Sequence, residues 1–138
     1  MANNQPIFSK IGDIQWSSTS VSSANITKDM TTGTTYSVFT ADSTNGGYVQ
    51  RIRFRPLGTN AATVARIWIN NGSATNTAAN NILFDEVSLA ASTISETSAT
   101  SLTELPLNFA LPPAYKIFVT LGVTASAGYA VSVIGGKY

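Results

Sequence analysis

The chain has 138 residues and a net charge of +1, and it contains neither cysteine nor histidine. This length is that of one domain, long enough to bury a core without metal or disulfide staples. Within these residues, disulfides, thiol nucleophiles and histidine bases or ligands are therefore excluded. Charged residues make up only 11%, which argues against a protein that gains its affinity from nucleic-acid phosphates.

The first 13 residues are polar and offer only Ile7, Phe8 and Ile11 as apolar anchors. We predict that residues 1–13 form an extended N-terminal arm, either disordered or docked on a neighbouring surface. One domain follows over residues 14–138.

Neither a signal peptide nor a membrane span is expected. The N-terminus has no basic region followed by an apolar run. The most apolar segment, residues 109–136, alternates and contains a Pro-Pro pair and Lys116. We therefore predict that no membrane is a partner. The low charge described above leads to the same prediction for nucleic acid.

Segments of alternating apolar and polar residues follow one another at short spacing, separated by turn-forming residues, which is typical of β-strands. No segment has a convincing helical pattern, and Pro106 predicts that its strand lies at a sheet edge. About eight strands predict an all-β fold, a single antiparallel β-sandwich of the jelly-roll type. The predicted strands cover residues 14–22, 34–41, 48–55, 64–70, 82–89, 102–111, 115–121 and 129–134, with a further short strand at 93–96.

All four arginines lie within residues 48–70, in two predicted strands joined by a polar turn. The period of two places the three arginines of the first strand on one side, together with Val49. One interpretation is a solvated sheet face whose arginines pair with carboxylates across strands. The other is a docking face that grips acidic groups of a partner protein through bidentate guanidinium contacts. The arginines are Arg51, Arg53, Arg55 and Arg66. The carboxylates that could pair with them across strands are Asp85, Glu86 and Glu104.

Side chains that could perform catalysis or hold a metal are not arranged for either role. Asp13, Asp29 and Asp42 lack the spacing of a calcium loop, so we interpret them as hydrogen-bonding residues of loops and turns. Asp85 and Glu86 are sequence neighbours, which a strand directs to opposite faces. With no nucleophile motif and no glycine-rich phosphate loop, we expect no enzymatic activity, no metal and no cofactor.

Six aromatic residues at strand positions could form either a core or a sugar-stacking platform. We favour the core, because aromatic side chains on strands pack inside a protein more often than they bind ligands. They are Trp16, Tyr36, Tyr48, Trp68, Tyr115 and Tyr129.

Two stretches, YVQRIRFRPLGTNAATVARIWINNGS at residues 48–73 and LPLNFALPPAYKIFVTLGVTASAGYAVSVIGGKY at residues 105–138, resemble small virion proteins of tailed bacteriophages that decorate or cement a capsid. The resemblance implies an all-β structural protein, often a trimer, that contacts the major capsid protein and neighbouring copies of itself. It also implies a place on the capsid surface after assembly in the host cytoplasm. No individual site residue carries over from the family.

The docking surface that we predict combines the arm with the arginine face. Deletion of residues 1–13 is expected to abolish capsid binding and to leave the fold intact. The alternative is a receptor- or carbohydrate-binding module of a phage tail or fibre, which would use exposed aromatic residues and the Asn-rich loop at residues 70–81. The predicted docking residues are Ile7, Phe8, Ile11, Arg51, Arg53, Arg55 and Arg66.

Overall fold

Eight β-strands form the fold of residues 10–138, the part of the chain that the computed structural model describes. Within these residues the single helical element is a 3-10 turn, Ala78–Asn80, which precedes the fifth strand. The number of strands agrees with the prediction. In chain order they are β1 (Ile11–Trp16), β2 (Tyr36–Thr40), β3 (Gly47–Pro56), β4 (Thr63–Asn70), β5 (Asn81–Leu89), β6 (Thr103–Leu111), β7 (Lys116–Leu121) and β8 (Tyr129–Lys137).

The strands form two antiparallel sheets, in the order β1-β8-β3-β6 in sheet A and β2-β7-β4-β5 in sheet B. The pairs β1/β8 and β3/β6 belong to sheet A, whereas β2/β7 and β4/β5 belong to sheet B. The chain is thus one long antiparallel ribbon, folded so that successive strand pairs alternate between the two sheets. This is the jelly-roll arrangement, so the predicted antiparallel sandwich is confirmed. Strand β6, which contains Pro106, lies at a sheet edge as predicted.

The core fills the space between the sheets, because each strand directs alternate side chains inward. Three of the aromatic residues predicted to be core, Tyr36, Trp68 and Tyr129, are buried. Trp68 belongs to a separate small cluster on the outer side of sheet B. In this cluster Met30 packs on both Trp68 and Phe118. The largest fully buried members of the main cluster are Phe39, Ile52, Phe54, Leu89, Ile67, Ile117, Leu121 and Tyr129.

A β-bulge in β3 interrupts the alternation that the sequence predicts. Val49 and Arg51 pair with consecutive residues of β8, which leaves Gln50 as the extra residue. Val49 therefore points into the core with Ile52 and Phe54, whereas the arginines point outward. The prediction that Val49 shares a face with the arginines is wrong, because the bulge shifts the pattern by one residue.

Strand β1 begins at Ile11, three residues before the predicted domain boundary. Residues 11–13 pair with residues 135–137 of β8, and the backbone N–H of Lys10 donates to the carbonyl of Lys137 at 2.6 Å. The end of the predicted arm is therefore part of sheet A.

The connection from β3 to β4 crosses from one sheet to the other, and Asn60 anchors it. Asn60 is 3% exposed; its Nδ2 donates to the carbonyl of Gly128 at 3.0 Å. Its Oδ1 accepts the N–H groups of Ala127 at 2.8 Å and of Gly128 at 3.1 Å. Asn60 also forms an isolated bridge with Ser92, whereas the short strand predicted at residues 93–96 does not form. Because this connection crosses the sandwich, β3 and β4, which carry the four arginines, lie in different sheets.

Candidate binding face

The outer face of sheet A brings together most of the predicted docking residues that the structure describes. Residues of β3 on this face alternate with buried ones, so three arginines point to solvent there. Neighbouring strands lie about 4.8 Å apart, so a row of residues across the four strands spans about 14 Å. From β1 to β6, one row contains Ile14, Ile134, Arg51 and Pro106, and the next contains Trp16, Ser132, Arg53 and Glu104.

The half of this face formed by β3 and β6, which we call the charged half, holds three guanidinium groups and one carboxylate, that of Glu104. The Nε of Arg53 lies 2.7 Å from Oε1 of Glu104, although its N–H is not directed at that oxygen. Nη1 of Arg51 lies 3.9 Å from Oε2 of the same carboxylate. Arg55 has no carboxylate partner among residues 10–138, and its Nη1 donates to the carbonyl of Thr100 at 2.8 Å. The charged half thus has excess positive charge that a partner's carboxylates can neutralise.

The half formed by β1 and β8, which we call the neutral half, exposes large apolar side chains. Ile14 is 59% exposed and Trp16 is 68% exposed. No charged side chain of β1 or β8 points to this face, and the arginines of β3 contact Glu104 and Thr100 on the side away from it. Tryptophan and arginine are the residues most enriched where protein partners contribute binding energy.

A cleft of about 400 Å³ lies at the end of the neutral half, between the last residue of β1 and the residue that follows β3. Trp16 and Leu57 contribute its large exposed apolar surfaces, and Leu57 is 50% exposed. No charged residue lines the cleft. The other lining residues are Ser17, Ser18, Thr19, Ser20, Ala130, Val131 and Ser132.

Not all predicted docking residues share this face. Arg66 lies on the outer side of sheet B, where its Nε donates to Oε1 of Glu86 at 2.8 Å. The prediction that all four arginines share one face is therefore wrong, because the connection between β3 and β4 crosses the sandwich. Ile11 is 65% exposed at the start of β1, and Ile7 and Phe8 lie outside the described residues. The predicted cross-strand ion pairs form with Glu86 and Glu104, and none forms with Asp85.

Asp29 and Asp42 bind their own loops, as predicted. The prediction is wrong for Asp13, which lies in β1, where its Oδ2 accepts a hydrogen bond from Nε2 of Gln15 at 2.9 Å. Oδ1 of Asp29 accepts the backbone N–H and the hydroxyl of Thr31, and these hydrogen bonds lower the pKa of Asp29. Oδ2 of Asp42 accepts the N–H groups of Asn45 and Thr44, which lower the pKa of Asp42 in the same way. Across residues 10–138, no group of three acidic side chains is close enough to hold a metal ion. None of the helical segments described is long and apolar enough to cross a membrane.

Exposure of Trp16 is the feature that sequence reasoning missed. Alternation places Trp16 on one side of β1 with Ile14 and Gly12, as the sequence predicts, but alternation does not tell which side is buried. The local pattern gave no signal of this exposure, because the opposite side of the strand is polar. Gln15 on that side closes the edge of the sandwich. Its Nε2 donates to the carbonyl of Thr40 and its Oε1 accepts the N–H of Thr40, each at 2.9 Å.

Comparison with known proteins identifies no relative: no protein family, curated protein or solved structure matches the chain.

Proposed function

We propose that this chain is a non-enzymatic virion structural protein of a tailed bacteriophage, a decoration or cement protein that binds coat subunits on the capsid surface. The resemblance of residues 48–73 and 105–138 to such proteins suggests the class. The jelly roll is compatible with it, because viral capsid domains use this architecture, although lectins and cupins do so too. In this proposal the partners are the major capsid protein and neighbouring copies of the chain, arranged as a trimer.

The observation that carries the proposal is the outer face of sheet A, over which no segment of residues 10–138 packs. On sheet B, the segment before β2 lies over the outer face, where Met30 packs on Trp68 and Phe118. On sheet A, Ile14 and Trp16 remain exposed beside the row of arginines. Exposed apolar side chains on the same face as arginines that outnumber its one carboxylate are suited to a protein partner with an acidic, partly apolar surface.

The proposed mechanism is mechanical. A protein that binds the assembled shell and not the free subunits stabilises the assembly by mass action, because binding energy is available only in the assembled state. Arg51, Arg53 and Arg55 would contact carboxylates of the coat, since guanidinium groups form bidentate pairs and tolerate burial in interfaces.

Copy number in the virion tests the proposal directly. Quantitative mass spectrometry of purified particles of the phage that encodes the chain should find hundreds of copies, measured against the major coat protein. A handful of copies would favour the alternative, a receptor- or carbohydrate-binding module of the tail or fibre, for which the exposed Trp16 is the favouring observation. Absence from the particle would reject both.

A charge-matched pair of variants tests the docking face. Arg55→Gln removes a cation that has no carboxylate partner within the described residues, so no ion pair of the chain is lost with it. We expect occupancy on particles to fall about tenfold, the effect of about 1.4 kcal/mol at an interface. Lys28→Gln removes the same charge from an exposed loop outside sheet A and should leave occupancy unchanged. Equal occupancy for the two variants would reject the arginine face.

A further inference from the structure

The two tryptophans of the chain have opposite environments. Trp68 is 1% exposed, and its Nε1 donates to Oγ1 of Thr120 at 2.9 Å. Trp16 is 68% exposed at the mouth of the cleft, and its Nε1 has no hydrogen-bond partner among the described residues. Trp16 therefore brings to the lining of the cleft a flat apolar ring system and an N–H donor that no described residue binds.

Five hydroxyl side chains line the cleft beside the indole. None of them forms a side-chain hydrogen bond with any described residue, although each can both donate and accept. Ser17 is the least exposed of them, at 8%, and its hydroxyl has no partner among residues 10–138. The five are Ser17, Ser18, Thr19, Ser20 and Ser132.

The lining narrows the class of ligand. A charged ligand would find no counter-charge in the cleft, because Arg53 and Arg55 make their contacts on the β6 side. Serine is depleted in protein interfaces, so a lining with four serines favours a small polar molecule over a protein side chain at this end of the face. A volume of about 400 Å³ lies within the usual range for small-molecule sites.

A pyranose ring matches these properties. One of its faces presents C–H groups that pack against an indole by dispersion and by exclusion of water. Its rim presents hydroxyl groups, which pair with free serine and threonine hydroxyls. We propose that the cleft binds a neutral saccharide, with one sugar ring stacked on Trp16 and the ring hydroxyls bonded to residues 17–20 and Ser132. This inference goes beyond a role on the capsid and does not depend on it.

Titration of the full chain with neutral trisaccharides tests the site. Maltotriose, triacetylchitotriose and a β-1,4-linked galactotriose are added up to about 50 mM, since a single stacked ring gives affinity in about the millimolar range. We expect at least one of them to change the tryptophan fluorescence and to shift the amide NMR signals of residues 16–20 and 130–132. The NMR readout does not depend on Trp16 as a fluorophore, so it serves for the variants as well.

Substitutions test whether the sugar binds at the cleft. Trp16→Ala should abolish the NMR shifts and Trp16→Phe should keep part of the affinity, because an aromatic face remains. Loss of folding is not expected, since the side chain is exposed; the melting temperature verifies this. Ser132→Ala should weaken binding several-fold, whereas Ser37→Ala, which removes an exposed serine of β2 far from the cleft, should not.

Two results would overturn the inference. One is no spectral change with any of the three sugars; the other is a change that persists in Trp16→Ala. If Trp16→Ala reduces occupancy on virions while no sugar binds, the cleft belongs to the protein docking face instead. The Arg55→Gln variant should keep full sugar binding, so failure of the capsid proposal and failure of the saccharide site can be told apart.

Discussion

Two buried tyrosines place their hydroxyls in opposite environments. The hydroxyl oxygen of Tyr36 accepts the backbone N–H groups of Ser23 at 3.0 Å and of Ser22 at 3.3 Å. The hydroxyl of Tyr129 is inaccessible to solvent and has no partner among the described residues, and its burial raises the pKa of Tyr129. The same functional group therefore stabilises the fold at one position and opposes it at the other.

Replacement of each tyrosine by phenylalanine should separate these effects. Tyr36→Phe leaves two backbone donors without their acceptor, and we expect the free energy of unfolding to fall by about 1–2 kcal/mol. Tyr129→Phe removes an unpaired buried hydroxyl, and we expect a gain of up to about 1 kcal/mol. Urea unfolding followed by circular dichroism measures both. A loss of stability in Tyr129→Phe would mean that its hydroxyl has a partner after all.

Ionisation of Tyr36 should make stability depend on pH in the alkaline range. Burial opposes its ionisation, but the hydrogen bonds from Ser23 and Ser22 outweigh burial and lower the pKa of Tyr36 to about 8. An unfolded tyrosine ionises near pH 10. Between these values the unfolded chain binds more protons than the folded one, so Tyr36 contributes stability that increases as pH rises from about 8 to 10 and disappears as pH falls below 8.

Tyr36→Phe should lack this contribution. The difference in unfolding free energy between wild type and variant should widen from pH 7 to pH 10, and absorbance at 295 nm should show one tyrosine titrating near pH 8 in wild type alone. A difference that does not change with pH would show that Tyr36 ionises in the ordinary range.

At the scale of elements, the bulge in β3 depends on a glycine of its partner strand. At Gly135 in β8, a Cβ atom would overlap the carbonyl oxygen of Tyr48, because the bulged strand approaches β8 closely there. Gly135→Ala should therefore force the backbones apart and lower the free energy of unfolding by at least about 2 kcal/mol.

Gly12 in β1 provides the control. A Cβ at Gly12 meets no atom within 4 Å, so Gly12→Ala should be neutral or slightly stabilising. Thermal unfolding of the two variants measures the contrast. Equal melting temperatures would show that the close approach at Gly135 is not needed for the bulge.

The bulge shows which parts of the structure can be predicted from the sequence and which cannot. Alternation in the arginine strand and its neighbours is local, so most strands and the sandwich could be predicted from it. The bulge at Gln50 could not, because it exists only through the pairing of β3 with β8. The position of Arg66 depends on the connection from β3 to β4, which Asn60 anchors through residues distant in the sequence. The exposure of Trp16 depends on the place of β1 at the edge of sheet A. Neither can be read from local alternation. The charged half was therefore predicted, whereas the cleft was not.

For the whole molecule, the two outer faces of the sandwich differ in what covers them. Sheet B carries its own cover, which Asn25 stabilises because its Nδ2 donates to the carbonyls of Thr32 at 2.9 Å and of Thr34 at 3.0 Å. Arg66 is neutralised by Glu86 on the same sheet. Sheet A has no such cover within the described residues, and its arginines outnumber their carboxylates. Of the two outer faces, that of sheet A is thus the one that no segment of residues 10–138 covers.

The predicted N-terminal arm can be tested separately from this face by a deletion that removes no residue of β1. Removal of residues 1–13 would also remove residues 11–13, which pair with β8, so the structure gives a reason to expect that this deletion destabilises the fold. Removal of residues 1–9 leaves every strand pair of the sandwich in place. We expect this shorter deletion to keep the melting temperature within about 2 °C of wild type, whereas loss of residues 1–13 should lower it by several degrees.

If Ile7 and Phe8 help to bind the coat, particles assembled with the chain lacking residues 1–9 should carry several-fold fewer copies, as measured by quantitative mass spectrometry. The matched control is Ile7→Ser with Phe8→Ser in the full-length chain, which keeps the length of the segment and removes its two large apolar side chains. Equal losses in both variants would assign the binding to these side chains. Full occupancy in both would reject the arm and leave the outer face of sheet A as the docking surface.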